Sequence, residues 1–283
     1  MPSQRDIRRR INASKNISKI TRAMQFVAAS KLRHAQQATI AARPYSDLLD
    51  EILADLAMVL SGEEHPLLGR HEEGKRLIVL ITSDRGLAGP LNTNAVRFAA
   101  HEIVDHPGDL ELVSVGRKGR DAMRRSGVPI VAHFPGFGDR PSFEDVLPLA
   151  RLISDEYEAG TYNQVDIVYT RFISTLVQRP DKVQLLPIVP TTDTHGIPGS
   201  QFIFEPAPAE VLSELLPRYL GTRLFQTALE SSASFFSSQM VAMKNATENA
   251  DELIEDLTLS YNKARQANIT RELIEIASGA QVR

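Results

Sequence analysis

The stretch that decides the fold runs from Met240 to Ile276 and reads MVAMKNATENADELIEDLTLSYNKARQANITRELIEI. Ala246, Ala250, Leu253, Leu257, Ala264 and Ile274 recur at intervals built from threes and fours, the narrow seam of a coiled coil rather than the wider stripe of a globular helix. Toward its C-terminal end the seam is mostly small, which lets a neighbouring backbone come close. Asn262-Lys263-Ala264-Arg265-Gln266-Ala267 lays a polar, hydrogen-bonding line along the same helix. A helix that is apolar along one line and polar along another meets two different partners. From Pro208 to about Gly279 the only residues that oppose a helix are Pro217 and Gly221, so the element extends to about 100 Å at ~1.5 Å per residue. No single globular domain needs a helix that long.

A second such element opens the chain. Ser3 followed by Asp6 resembles a capping box with Asp in the place of the usual Glu, which starts a helix at Ser3 or Gln4. Ile17, Ile20, Met24 and Val27 keep the three-and-four spacing, as do Leu49, Ile52, Leu56 and Val59, so both ends of this helix call for a partner along one line. Between them the seam turns polar at Lys31 and His34, and Pro44 predicts a kink or phase shift rather than a stop. Up to Arg43 the chain has ten basic residues against the single acid Asp6, a net charge of +9.

Between the two helices the pattern changes. Ser61 to Lys75 reads as a linker, and Arg76 to Thr82 is a short apolar, β-branched run of the kind that forms a buried strand. The turn Ser83-Asp84-Arg85-Gly86-Leu87-Ala88-Gly89-Pro90 follows. Then come a helix over Asn92 to Val104, a strand over Leu110 to Val115, a helix over Lys118 to Ser126 and a strand over Pro129 to His133. A helix over Phe143 to Ala159 and strands over Gln164 to Phe172 and Lys182 to Pro187 complete the series. Strands alternating with helices predict a mainly parallel α/β layer domain. The expected fold is thus α/β: a long antiparallel two-helix coiled coil, residues 1–61 and 207–283, with an inserted Rossmann-like α/β domain at 74–195. If Leu60 and Val211 both lie near that domain, facing residues of the two helices have numbers summing to about 270. This register sets Glu248, Asp251, Glu252, Glu255 and Asp256 across from Arg8 to Lys19, so that the charge blocks cancel. It leaves the second helix alone beyond about Lys263.

Composition narrows the function. A formal charge of −3 over 283 residues carries no strong indication of nucleic-acid binding. Zero Cys excludes disulfides, thiolate nucleophiles and Cys-ligated zinc. The longest apolar run, Leu77 to Ile81, falls far short of the roughly 20 residues of a membrane span, and the charged N-terminus is unlike a signal peptide. The turn at Ser83 to Pro90 occupies the place where α/β folds often bind phosphate, yet neither a dinucleotide fingerprint nor a Walker A motif is present. Ser83 lacks an elbow motif and a His placed to complete a triad. The seven His include no i, i+4 metal pair. Accordingly no catalytic, cofactor-binding or metal-binding residue and no cofactor is expected. The basic N-terminal helix has almost no interleaved aromatics and has an acidic counterpart, which favours protein over nucleic acid as its partner.

Three motifs then point to a family. Ile17-Ser18-Lys19-Ile20-Thr21-Arg22-Ala23-Met24 with Val27-Ala28-Ala29-Ser30-Lys31 forms the first. The second is the turn Asp84-Arg85-Gly86-Leu87 with Leu91-Asn92, and the third is Met240 to Thr247 with Tyr261-Asn262-Lys263-Ala264-Arg265-Gln266. Together they closely resemble the gamma subunit of the F-type ATP synthase, along the whole chain and at matching length. The turn departs from the common family pattern, with Ala88 where a Cys is frequent and Pro90 where a Gly is. The regulatory insert and the transit peptide of chloroplast versions are absent, which favours a bacterial source.

The resemblance implies a non-catalytic rotor shaft that stands inside a hexamer of alpha and beta subunits and couples proton flow to ATP synthesis. Its α/β domain then docks on epsilon and the membrane-embedded c-ring, peripheral to the cytoplasmic face of a bacterial plasma membrane, and nucleic acid is not a partner. Arg265, Gln266 and Thr270 on the lone helix and Met24, with Lys19 and Arg22 beside it, are implied as contacts to beta. Two rival classes stay open: a small-molecule enzyme built on the α/β domain, and a coiled coil binding nucleic acid through its basic helix.

Overall fold

The computed structural model describes residues 3–59, 65–69, 71–105, 108–189 and 207–280. Its elements in order are α1 (Gln4–Val59), β1 (Lys75–Ile81), α2 (Leu91–Val104), β2 (Leu110–Val115), α3 (Arg117–Arg125), β3 (Ile130–Phe134), α4 (Phe143–Glu158), β4 (Tyr162–Phe172), β5 (Gln178–Leu186) and α5 (Pro208–Ala280). α1 continues through Pro44, and α5 through Pro217 and Gly221. The described residues fall into two compact units: one holds those up to Ala28 with those from Gln239 onward, the other Ala29–Ser238. Each long helix contributes a segment to both.

In the larger unit the sheet has the order β3-β2-β1-β4-β5, with β1 parallel to β2 and β4, β2 parallel to β3, and β5 antiparallel at the edge. The expected mainly parallel sheet is therefore present. The alternation of β1 divides its side chains between two cores. Ile78 and Leu80 join Leu112, Val168, Ala95, Ala99 and Met123 beneath α2 and α3. Leu77, Val79 and Ile81 join Val146, Leu149, Ile153 and Tyr157 of α4, Leu49, Leu53 and Leu56 of α1, and Leu212, Leu216, Leu220 and Leu224 of α5. Covering both faces is what a parallel sheet requires, and each fully buried aliphatic side chain here contributes about 1.5–3 kcal/mol.

The expected linker needs correction. Ser61 to Glu64 and Arg70 lie outside the described residues, but 65–69 form a turn whose Leu67 is completely buried in the core. The Leu67 carbonyl accepts the Ile188 N–H at 2.9 Å, and the Gly69 carbonyl accepts the Tyr157 hydroxyl at 2.7 Å. A buried leucine and two hydrogen bonds to its carbonyls make this turn part of the fold. Within the sheet, Arg76 donates through Nε to Asp166 at 2.7 Å and faces Glu102 at 3.6 Å, while Lys182 meets Glu102 at 2.5 Å.

Among the described residues the smaller unit consists of the two helix segments. Ser3 and Asp6 form the expected reciprocal cap: the Ser3 hydroxyl donates to the Asp6 carboxylate at 2.7 Å and accepts the Asp6 N–H at 3.2 Å. Those bonds, with the charges of Arg10 and Arg9, hold the Asp6 carboxyl below its ordinary pKa. The helices run antiparallel in the expected register, because Ser18 pairs with Asp251 and Thr21 with Thr247, each at 2.7 Å. Both pairs fit a sum near 270.

Two expectations fail here. The α1 seam consists of Ile7, Ile11, Ser14, Ser18 and Ala28, facing Met243, Thr247 and Ala250, whereas Ile17, Ile20 and Val27 are 53%, 59% and 54% exposed. From Ser14 to Ala28 the inward line is thus displaced from the apolar one, because hydroxyls and a methyl take the α1 side of the seam there. On α5, Ala250 is buried and Leu257 and Ala264 partly so, but Leu253 and Ile274 are exposed. The charge blocks also do not pair as expected. Arg22 meets Asp251 at 3.0 Å, Glu248 lies 3.8 Å from Lys244 of its own helix, and no other ion pair occurs in this unit among the described residues.

Candidate partner-contact surface

Past Ala264 the second helix buries none of the side chains that the structure describes. Every residue from Arg265 to Ile274 is exposed, as expected of a helix that outruns its partner. The Thr270 hydroxyl donates to the Gln266 carbonyl at 3.0 Å, a helix-internal bond that leaves its methyl outward. Among the described residues the side chains of Arg265 and Gln266 make no hydrogen bond or ion pair, so their donors are free for a carboxylate or carbonyl of another chain. Ile269, Leu273 and Ile274 stand exposed on the same segment. The structure therefore sets Arg265, Gln266 and Thr270 on one exposed segment and adds Ile269 and Leu273, which the sequence reading did not assign, and Ile274, which it had placed on the seam.

Met24 lies on α1, half-buried, on the line of Ile17, Ile20 and Val27. That line was read correctly as a helical stripe, but it faces away from α5. Phe26 beside it is 67% exposed. Lys19 is exposed, while Arg22 is tied to Asp251, so of the two basic residues only Lys19 is unpaired among the described residues. Contiguous exposed aliphatic and aromatic side chains on a helix mark an interaction surface. The signal was available in the sequence: apolar residues at 17, 20, 24 and 27 alternate with Ser14, Ser18 and Thr21 on a neighbouring line, and only one line can face α5.

The turn after β1 is braced as a structural element. The Ser83 hydroxyl donates to the Arg85 carbonyl at 2.6 Å, the Asn92 side-chain oxygen accepts the Ser83 N–H at 3.1 Å, and the Asn92 amide donates to Ser83 Oγ at 2.8 Å. The Asp84 carboxylate accepts N–H groups from Arg117 at 2.9 Å and Gly136 at 3.0 Å. Leu87 takes a left-handed conformation, φ 64°, and the Ser238 hydroxyl donates to the Ala88 carbonyl at 2.7 Å. None of the Ser83 partners is a base, so the arrangement has no activated nucleophile. The described residues contain no cluster of three or more metal-ligating side chains and no helix long and apolar enough to cross a membrane.

Comparison with known proteins bears on the same elements. The family model described as ATP synthase matches residues 3–282. The ATP synthase gamma chain of Pelotomaculum thermopropionicum is 44% identical over 280 residues, covering 99% of both chains. That of Desulfitobacterium hafniense is 46% identical with the same coverage. Among solved structures, the rotor of the Euglena gracilis mitochondrial ATP synthase matches with a TM-score of 0.68 at 19% identity, covering 94% of this chain and 98% of that one. The central stalk and c-ring structure of the Tetrahymena thermophila mitochondrial ATP synthase matches with a TM-score of 0.63 at 23% identity, covering 80% of this chain and 99% of that one. These two are likenesses of fold. The resemblance read from the three motifs is confirmed by the sequence relatives, and the chain belongs to the ATP synthase gamma-chain family.

Proposed function

We propose that this chain is the central rotor shaft of an F-type ATP synthase, a non-catalytic subunit that couples proton flow to ATP synthesis on the beta subunits. Its helix pair stands within the hexamer of alpha and beta, and the α/β domain engages epsilon and the c-ring. It thereby lies on the cytoplasmic face of a bacterial plasma membrane, held there by the assembly. The working division is 1–61 and 207–283 for the shaft and 74–195 for the docking domain. The observation that carries the reading is the solitary segment from Arg265 to Ile274, exposed on every side in a chain of this family. A lone helix with free polar donors and three bare aliphatic side chains is built to be surrounded.

Arg265, Gln266 and Thr270, with Met24, are the beta-facing contacts. A beta subunit that meets the Arg265 fork and one that meets the opposite side of the helix experience different interaction energies. Rotation therefore changes which subunit is held open, and such a differential contact is what couples two equilibria. Changing Arg265 and Gln266 together to Ala removes exposed donors and leaves the fold intact. In native membrane extracts the wild-type chain should migrate with a very large assembly, and the double variant should show weakened coupling or assembly with unchanged helical content. A wild-type chain migrating alone, or helix loss in the variant, contradicts the assignment.

A further inference from the structure

The larger unit contains a cleft of about 240 Å³ closed by the turn after β1, the loop after β3 and one side of α5. It opens at the carboxyl ends of β1 and β4. From β1 the chain steps outward to β2 and β3, then crosses back to β4 on the other side of β1. Open α/β sheets bind small molecules at this reversal of strand order. Ile81, Leu91, Phe137 and Phe235 supply apolar walls.

On the α5 side Ser231 and Ser232 line the cleft, and neither hydroxyl finds a hydrogen-bond partner among the described residues although both oxygens are buried. Ser232 as a whole is only 8% exposed. A buried hydroxyl without a partner costs about 1–3 kcal/mol. Helical hydroxyls can avoid that cost by turning back to the carbonyl four residues earlier, as Thr222 does to Arg218 at 2.8 Å and Thr247 to Met243 at 2.9 Å. Ser231 and Ser232 do not. The opposite wall is held in place: Asp84 is fixed by the Arg117 and Gly136 N–H groups, and Lys31 holds Asp139 at 2.5 Å. A Cβ at Gly136 would lie 2.8 Å from an Asp84 carboxylate oxygen, so glycine is what lets the loop approach.

We propose that this cleft binds small, uncharged, planar lactams or amides, with the ring against the aromatic and aliphatic walls and the C=O and N–H edge on Ser231 and Ser232. A hydroxyl both donates and accepts, and two neighbouring hydroxyls match an edge that carries an acceptor beside a donor. The lining carries Asp84 and Asp139 against the single cation Arg85, and this small negative balance disfavours phosphate and carboxylate ligands. The volume lies just below the roughly 300–1,000 Å³ of drug-sized ligand sites, which sets the size at one or two fused rings.

The test titrates 2-quinolone against the full chain and reads the thermal midpoint, since a ligand that binds only the folded state raises it with concentration. Quinoline, of similar shape but without the lactam edge, is the control. The expected result is a concentration-dependent rise with 2-quinolone, at least tenfold weaker binding of quinoline, and at least tenfold weaker 2-quinolone binding by the Ser231→Ala/Ser232→Ala variant. If that variant fails to fold, Phe137→Ala removes a wall from the loop side and should weaken binding by a similar factor. No rise at millimolar 2-quinolone, equal affinity for quinoline, or unchanged affinity in a folded variant overturns the proposal and leaves a water-filled cleft or a nonspecific apolar one.

Discussion

The same two helices are held in two different ways. Within the unit from Ala29 to Ser238 they reach the sheet through Leu49, Leu53, Leu56, Leu212, Leu216, Leu220 and Leu224, all buried. In the unit of the two termini they meet each other through Ile7, Ile11 and Met243 and, between these, through Ser14, Ser18, Thr21 and Thr247, with the methyls of Ala28 and Ala250. The first arrangement removes much apolar surface from water and secures the helices to a rigid layer. The second buries little and moves large apolar residues to the outside, where Ile17, Ile20, Phe26, Val27, Ile269, Leu273 and Ile274 remain exposed. A helix pair whose seam is small and polar over much of its length, with large apolar side chains left outside, is unsuited to solitary life in water and suited to an enclosing partner. The contrast assigns anchoring to one unit and contact to the other.

Ways of breaking this contrast can be ranked by size. Ile153 is completely buried under the sheet, so Ile153→Ala should cost about 2–5 kcal/mol through lost transfer energy and an unfilled cavity, measured by urea unfolding followed by circular dichroism. A loss under 1 kcal/mol would mean that the larger unit is no better packed than the coil. Ser18→Ala removes one hydroxyl from Asp251, which keeps Arg22, and should cost about 1 kcal/mol. The readout is hydrogen exchange of the α1 amides around it, with amides of β1 unchanged. Acceleration in β1 as well would join the two units into one cooperative block and erase the distinction.

The smallest effect sharpens the electrostatic side. Hydrogen bonds from Lys75 and then Tyr162 hold the Glu111 carboxyl below its ordinary pKa. A carboxyl lowered on folding contributes stability that is complete above its unfolded pKa and fades as pH falls through the lowered folded value. Glu111→Gln should therefore flatten the acid limb of the stability curve while costing no more than about 1 kcal/mol near neutrality, because the Lys75 partner is exposed. An acid limb identical to wild type would show that this pair contributes nothing.

The sequence was most legible where the interior is large and apolar. The strand over Leu110–Val115 appears with the expected ends, and the other elements of the sheet shift by at most a few residues, because aliphatic and β-branched runs have only one place to go. Leu67 was hidden in the expected linker because a single leucine among turn residues has no period to betray it. The coil was legible in its register and not in its phase: Ile17 and Ile20 were set inward on the rule that apolar residues face a partner helix. That rule fails here: the hydroxyls of Ser18 and Thr21 take the seam, and Ile17 and Ile20 stay exposed. Arg265, Gln266 and Thr270 were legible as a contact candidate because the register near 270 sets them at or beyond the very start of α1, where little of it remains to cover them.

The central claim is that the helix pair turns as one body against stationary beta subunits, and a pair of engineered disulfides tests it most directly. The chain has no Cys, so each introduced bond is unambiguous. Ile20, exposed, is unsuitable for a bond within the coil, but the hydroxyls of Thr21 and Thr247 lie 2.7 Å apart, and Thr21→Cys with Thr247→Cys joins parts that move together. With that bond formed in unstrained geometry, ATP synthesis in the assembled enzyme should persist. Gln266→Cys joined to a cysteine on a beta subunit instead ties a moving part to a fixed one, and synthesis should collapse and return on reduction. Full synthesis with the second bond quantitatively formed would contradict rotation of the whole pair and reduce the segment beyond Ala264 to a passive anchor.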